Sequence, residues 1–178
     1  IFWELRASYP LLDLSLFQNR QFSLTMIASF VFGAGMFSSS YFIPVFVQVI
    51  QHYSPTQAGF LLATGGVVMM MFFPLAGRIT DSVPAHIPIS VGLLVFSIGF
   101  FLIQAVDVNT TFWALVAYTA INRVGLSLSI PSLSAAALRA VPANKLARGA
   151  SSSTFFRDLG GGFGIALLTA FFEHRTQF

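Results

Sequence analysis

Arg123 is the only charged residue between Phe112 and Leu138. A central arginine in so apolar a stretch costs roughly 2.5–3.5 kcal/mol to place in a membrane. Such a side chain faces a helix-bundle interior or a watery cavity, where it finds a partner. Its chemistry is that of an anion anchor or of one half of a charge pair. Thr119, Arg123 and Ser127 recur at helical spacing, and Tyr118, Asn122, Gly125, Ser129 and Ser132 form an adjoining flank of polar and small residues. Two roles stand side by side for Arg123. One is a structural clamp on carbonyls or on a neighbouring carboxylate; the other is the lining of a substrate cavity.

Arg157 and Asp158 form a second constellation, followed at once by Gly160, Gly161, Gly162 and Gly164. Adjacent residues do not face each other on a helix, so each is expected to seek a partner elsewhere. Asp158 is the one carboxylate within an apolar segment that Arg123 could use. A desolvated carboxylate can take up a proton. An ion pair near the cytoplasmic end is the simpler reading, and proton coupling the sharper one. Gly160-xxx-Gly164 is a small-xxx-small pattern, which lets two helix backbones approach closely. Packing is the expected role of Gly160, Gly161 and Gly164, with a hinge as the alternative.

The elements that position these residues follow from hydropathy. From Gln21 to Gly77 there is no Asp, Glu, Lys or Arg. A membrane span takes about 20 apolar residues, so this run holds two spans, and the polar stretch Gln51–Gln57 turns the chain back. Five spans are expected, at about 22–49, 56–77, 87–105, 112–138 and 150–172, preceded by an interfacial connector over residues 1–20. The third span is nearly free of polar residues and is expected to face lipid, while the fourth and fifth face something wetter. The fold class is therefore all-α, a polytopic membrane helix bundle. With 56% hydrophobic and 8% charged residues, the chain lies far from the average soluble domain, at about 25% charged.

Basic residues stay on the cytoplasmic side. Arg20, Arg78, Arg139, Lys145 and Arg148 all flank one side of the five-span arrangement, and the opposite loops, 50–57 and 106–111, carry none. Loops 78–86 and 139–149 are thus expected in the cytoplasm, and the tail after Phe172 outside, with Arg175 as an exception. The basic residues form no dense run, so nucleic acid is not an expected partner. The chain has no cysteine, and His52, His86 and His174 are scattered without metal-ligand spacing. No Ser–His–acid set and no phosphate-binding loop can be drawn. Neither an enzyme, a cofactor nor a metal is expected. The chain begins with Ile1 and reads as a piece of a longer membrane protein.

Gly77-Arg78-Ile79-Thr80-Asp81 places a glycine at one helix end and an acid near the start of the next, where the helix dipole favours it. This G-x-[LI]-[AT]-D run resembles the cytoplasmic loop signature of the major facilitator superfamily. LFQNRQFSL, YSPTQAGFLLATGG, FFPLAGRITD, GLSLSIPSLSAAAL and ARGASSSTFFRDLGGGFGIAL follow in the order of the fourteen-helix drug/proton antiporter branch. The resemblance covers nearly the whole chain. It implies five helices of the C-terminal half, nine to thirteen of fourteen, with the N-terminal half as a missing partner. It also implies a bacterial plasma-membrane exporter of hydrophobic or cationic compounds that exchanges them for protons by rocking two halves about a midplane site. Tyr41, Tyr118, Asn122, Arg123, Arg157 and Asp158 would line or couple the substrate cavity, and Gly77, Arg78 and Asp81 would hold the cytoplasmic side shut. Two alternatives remain: export of an anionic or zwitterionic metabolite anchored on Arg123, and a non-transporting membrane module on the same scaffold. The chain departs from the family at Ser82-Val83-Pro84-Ala85-His86, where basic residues and a glycine are usual. It departs again at Asp158, where an amide is usual.

Overall fold

The computed structural model describes residues 14–49, 51–104, 106 and 110–176. The expected connector's residues 1–13, residues 107–109 of the 106–111 loop and the last two residues lie outside them. A 3-10 turn at Leu14–Gln18 leads into five helices: α1 (Arg20–Val49), α2 (Pro55–Ser82), α3 (His86–Gln104), α4 (Phe112–Arg139) and α5 (Leu146–Thr176). No strand occurs among the described residues. By length and composition α1, α2 and α3 are apolar enough to cross a membrane. α4 and α5 are as long, at 28 and 31 residues, but their runs of Ser, Gly, Ala and isolated charges dilute the apolar content.

Local chemistry sets the helix ends. Asn19 caps α1, its Oδ1 accepting from the Gln21 N–H at 2.9 Å. Ser54 and Gln57 form a capping box at the start of α2, and Pro55 occupies the first turn, where its missing N–H costs nothing. α2 does not end at Gly77. It runs to Ser82, because no proline between Gly77 and Pro84 stops it; the Thr80 and Ser82 hydroxyls donate to the Ala76 and Arg78 carbonyls within this last stretch. Pro84 then forces Val83 into an extended conformation (φ −127°, ψ 160°). Arg78 and Asp81 therefore sit in the last turns of α2. The expectation that Asp81 lies at the start of the following helix is corrected: it lies at a helix C-terminus, where the dipole does not favour it.

Among the described residues the chain forms two compact units, Ile1–Ser38 with Leu133–Phe178, and Ser39–Ser132. α1 and α4 each contribute to both. The first unit is cored by Leu16, Phe22, Met26, Ala137, Ala140 and Val141. Asn19 Nδ2 donates to the Ala140 carbonyl at 2.8 Å, and Lys145 Nζ donates to Ser15 Oγ at 2.7 Å. The 3-10 turn of the expected interfacial connector thus packs on the α4–α5 loop. The second unit is cored by Ile43, Val47, Leu61, Val106 and Leu115. Met70, Met71, Phe72 and Phe73 on α2 remain exposed, as a lipid-facing surface requires.

Candidate functional site

α4 carries the polar side chains of the second unit, and it directs them to three different helices. Asn122 is fully buried, and its Nδ2 donates to the Phe96 carbonyl of α3 at 3.2 Å. Gly92 of α3 lies under Ser129, and Gly99 under the Asn122 backbone. In return Gly125 sits against the Phe96 backbone and the Gly92 carbonyl. The flank Asn122/Gly125/Ser129 thus meets α3 rather than a wet cavity. Glycine brings the two backbones so close that an α3 carbonyl satisfies the amide. The third helix, expected to face lipid, buries this glycine face and exposes Val91, Leu94, Ile98 and Phe101. Ser132 Oγ pairs with Thr80 Oγ1 of α2 at 2.8 Å.

Arg123 points elsewhere. It is 9% exposed, and one terminal N–H donates to Ser40 Oγ of α1 at 3.4 Å. Its Nε is buried and has no hydrogen-bond partner among the described residues. The stem lies against Gly65 of α2: a Cβ there would come within 3.0 Å of Arg123 Cγ and 3.2 Å of Nε. Arg123 therefore joins α1, α2 and α4 inside one unit. Ser40 and Gly65 were not singled out from the sequence. The Gly65–Gly66 pair in LLATGG was the available signal, since two glycines within a helix are costly unless something must come close. Tyr118 packs on the apolar cluster of this unit, while Tyr41 is 49% exposed with its ring edge on Phe42.

In the first unit, Arg157 and Asp158 pair with each other, contrary to the expectation of separate partners. Arg157 Nε lies 3.6 Å from Asp158 Oδ1. The arginine stem is long enough to bend back around the helix, which spacing alone does not capture. Asp158 remains 54% exposed, so the pair is open to its surroundings. The Arg157 carbonyl lies directly over Gly33 of α1. Gly160 faces the Phe30 carbonyl, Gly161 the Phe37 ring and Gly164 the Ala34 backbone. Gly162 looks onto open space. A Cβ added at Gly77, in α2, would likewise meet nothing within 4 Å among the described residues, and Arg78 and Asp81 are exposed. No group of three His, Cys, Asp or Glu side chains that could hold a metal occurs among the described residues.

Long apolar helices, glycine-mediated seams and a mid-helix arginine define a multi-pass helical membrane protein. Residues 5–165 match the Major Facilitator Superfamily, and the chain belongs to that family. It is 31% identical to the multidrug transporter protein MdtP of Bacillus subtilis, over 97% of this chain and 32% of that protein. It is 26% identical to the colistin resistance protein EmrB of Acinetobacter baumannii, over 94% of this chain and 33% of the relative. It is 27% identical to the multidrug export protein EmrB of Haemophilus influenzae, over 98% and 34%. The chain spans about a third of the length of these curated relatives.

Proposed function

We propose that this chain is part of a proton-coupled exporter of hydrophobic and cationic compounds in a bacterial plasma membrane, with helices of an N-terminal half as its partner. The observation that carries the reading is the match to a multidrug transporter protein along 97% of the chain. Transport proceeds by alternating access around a midplane site. Asp158 is the coupling residue of this half. It is an exposed carboxylate within a helix, with Arg157 as its ion-pair partner among the described residues. A cationic substrate or a proton can replace that partner. Tyr41, with its exposed ring, offers an aromatic face to a cation. Gly77, Arg78 and Asp81 act at the cytoplasmic end of α2, with loops 78–86 and 139–149 in the cytoplasm.

The test is substrate-driven proton movement in vesicles carrying the full-length protein. Wild type is expected to move protons when a lipophilic cation is added. Asp158→Asn is expected to abolish that movement while the protein still inserts. A wild-type protein that moves no protons with any of a broad cation panel rules the coupled-export reading out.

A further inference from the structure

One end of the first unit gathers cations where helix ends disfavour them. α1 and α5 run parallel, since Gly33 meets Arg157 and Phe37 meets Gly161, so both begin at this end. Neither has an acid in its first turn. Arg20 opens α1 instead, and Arg148 lies in the first turn of α5. A helix N-terminus carries partial positive charge, so each of these cations sits against its dipole. Retention of basic residues on one side of a membrane sets the sign of this end, but any loop position would satisfy that rule. Two hydrogen bonds draw further cations in. Asn19 Nδ2 donates to the Ala140 carbonyl, so their chain neighbours Arg20 and Arg139 flank a single bond. Lys145 donates to Ser15 Oγ of the turn that precedes α1. Over residues 1–20 and 139–148 there are five basic and two acidic side chains, so the excess is positive however they pair. Beyond Arg20, Leu24, Ile27 and Val31 recur on α1 at helical spacing and are exposed. One stripe of α1 thus runs from a cation to apolar surface, the order of groups in a phospholipid.

We propose that this end binds the headgroup of an anionic phospholipid, one acyl chain of which lies along Leu24, Ile27 and Val31. Its phosphodiester brings the negative charge that the two helix N-termini and Arg20, Arg139, Lys145 and Arg148 all favour. Basic residues beside a membrane surface attract anionic lipid, each by about fivefold in affinity. Arg20 and Arg139 are exposed, at the level where a headgroup lies. Asn19 is the positioning residue: its carbonyl caps α1 while its amide holds Ala140, which keeps the cations of separate segments at one headgroup. The choice of leaflet rests on the cytoplasmic placement of loop 139–149 proposed above, whereas lipid binding is measured without any proton gradient.

The experiment is native mass spectrometry of the full-length protein in detergent, with equal amounts of dioleoyl phosphatidylglycerol and dioleoyl phosphatidylcholine. Wild type is expected to retain phosphatidylglycerol over phosphatidylcholine by about fivefold or more. Arg20→Gln/Arg139→Gln, which alters two exposed side chains, is expected to bring that preference close to parity. Arg78→Gln removes a cation from the end of α2, outside this surface, and is expected to leave the preference unchanged. Should the double variant fail to fold, Arg20→Gln and Arg139→Gln taken singly decide the matter, each lowering the preference about twofold. Equal retention of the two lipids by wild type overturns the proposal. So does an unchanged preference in the Arg20 and Arg139 variants. An equal loss in Arg78→Gln overturns it too, since the lipid would then sense the general charge of that side. Displacement by glycerophosphoglycerol as effective as by the intact lipid also overturns it, and marks a soluble-anion site without an acyl track. Retention that depends on Arg20 and Arg139 in a protein that moves no protons would refute the export reading and leave this surface standing.

Discussion

The α1–α5 seam of the first unit and the α3–α4 seam of the second both depend on glycine, but they differ in what opposes the missing side chain. Gly33 and Gly160 face carbonyl groups of the partner helix, those of Arg157 and Phe30. Gly92 faces a hydroxyl, Ser129 Oγ, and the same seam carries the Asn122–Phe96 hydrogen bond. Backbone cannot turn aside, whereas a serine side chain can rotate. Gly33 and Gly160 are thus fixed by main chain, as are Gly99 and Gly125 of the other seam, whereas the nearest atom to Gly92 is a side-chain oxygen that can adjust. Similar glycine patterns therefore have different tolerances, according to the atoms they meet.

Substitutions can break this contrast. Gly33→Ala and Gly160→Ala should have the largest effect, about 3 kcal/mol or loss of the folded state, because neither helix backbone can yield. Thermal unfolding of the full-length protein in detergent measures this, and a melting temperature within a degree or two of wild type would contradict the seam. Gly92→Ala should cost about 1–2 kcal/mol. Part of that loss should return in the double variant Gly92→Ala/Ser129→Ala, where the opposing hydroxyl is gone. Additive losses in the double variant would show that the α3–α4 seam is as stiff as its counterpart. Asn122→Ala removes one interhelical hydrogen bond, and such bonds average about 0.6 kcal/mol inside membranes. A much larger loss would mean that the amide organises more than this contact. Gly162→Ala should be the mildest change, neutral or stabilising by up to about 1 kcal/mol from helix propensity, because nothing lies within 4 Å of the added carbon. A destabilised Gly162→Ala protein would place a close neighbour on that face of α5.

Much of the architecture was legible before any coordinates. Charge-free runs and polar interruptions separate the helices, since a lipid-facing backbone must bond internally. The positions of Ser54, Pro55 and Gln57 mark the start of α2 through local capping. The end of α2 was less legible. Gly77 reads as a stop, yet a single glycine is tolerated within a helix and α2 continues to Ser82, two residues before Pro84. The polar flank of α4 reads as wet because polarity in sequence does not say which group will satisfy it. Asn122 finds a helix carbonyl, an outcome that depends on Gly99 and Gly125 meeting it from two helices.

The sequence by itself determined that the chain is helical, suited to a bilayer, and carries one buried arginine and one glycine-rich helix. Those properties depend on residue type and on spacing within single segments. Only the tertiary structure decided that Asn122 turns to α3, that Arg123 reaches Ser40 across Gly65, that Arg157 bends back to Asp158, and that Gly160 but not Gly162 bears a neighbouring helix. These depend on which helices meet and at what rotation. Residues far apart in the chain set that rotation jointly, through the volume each leaves unfilled.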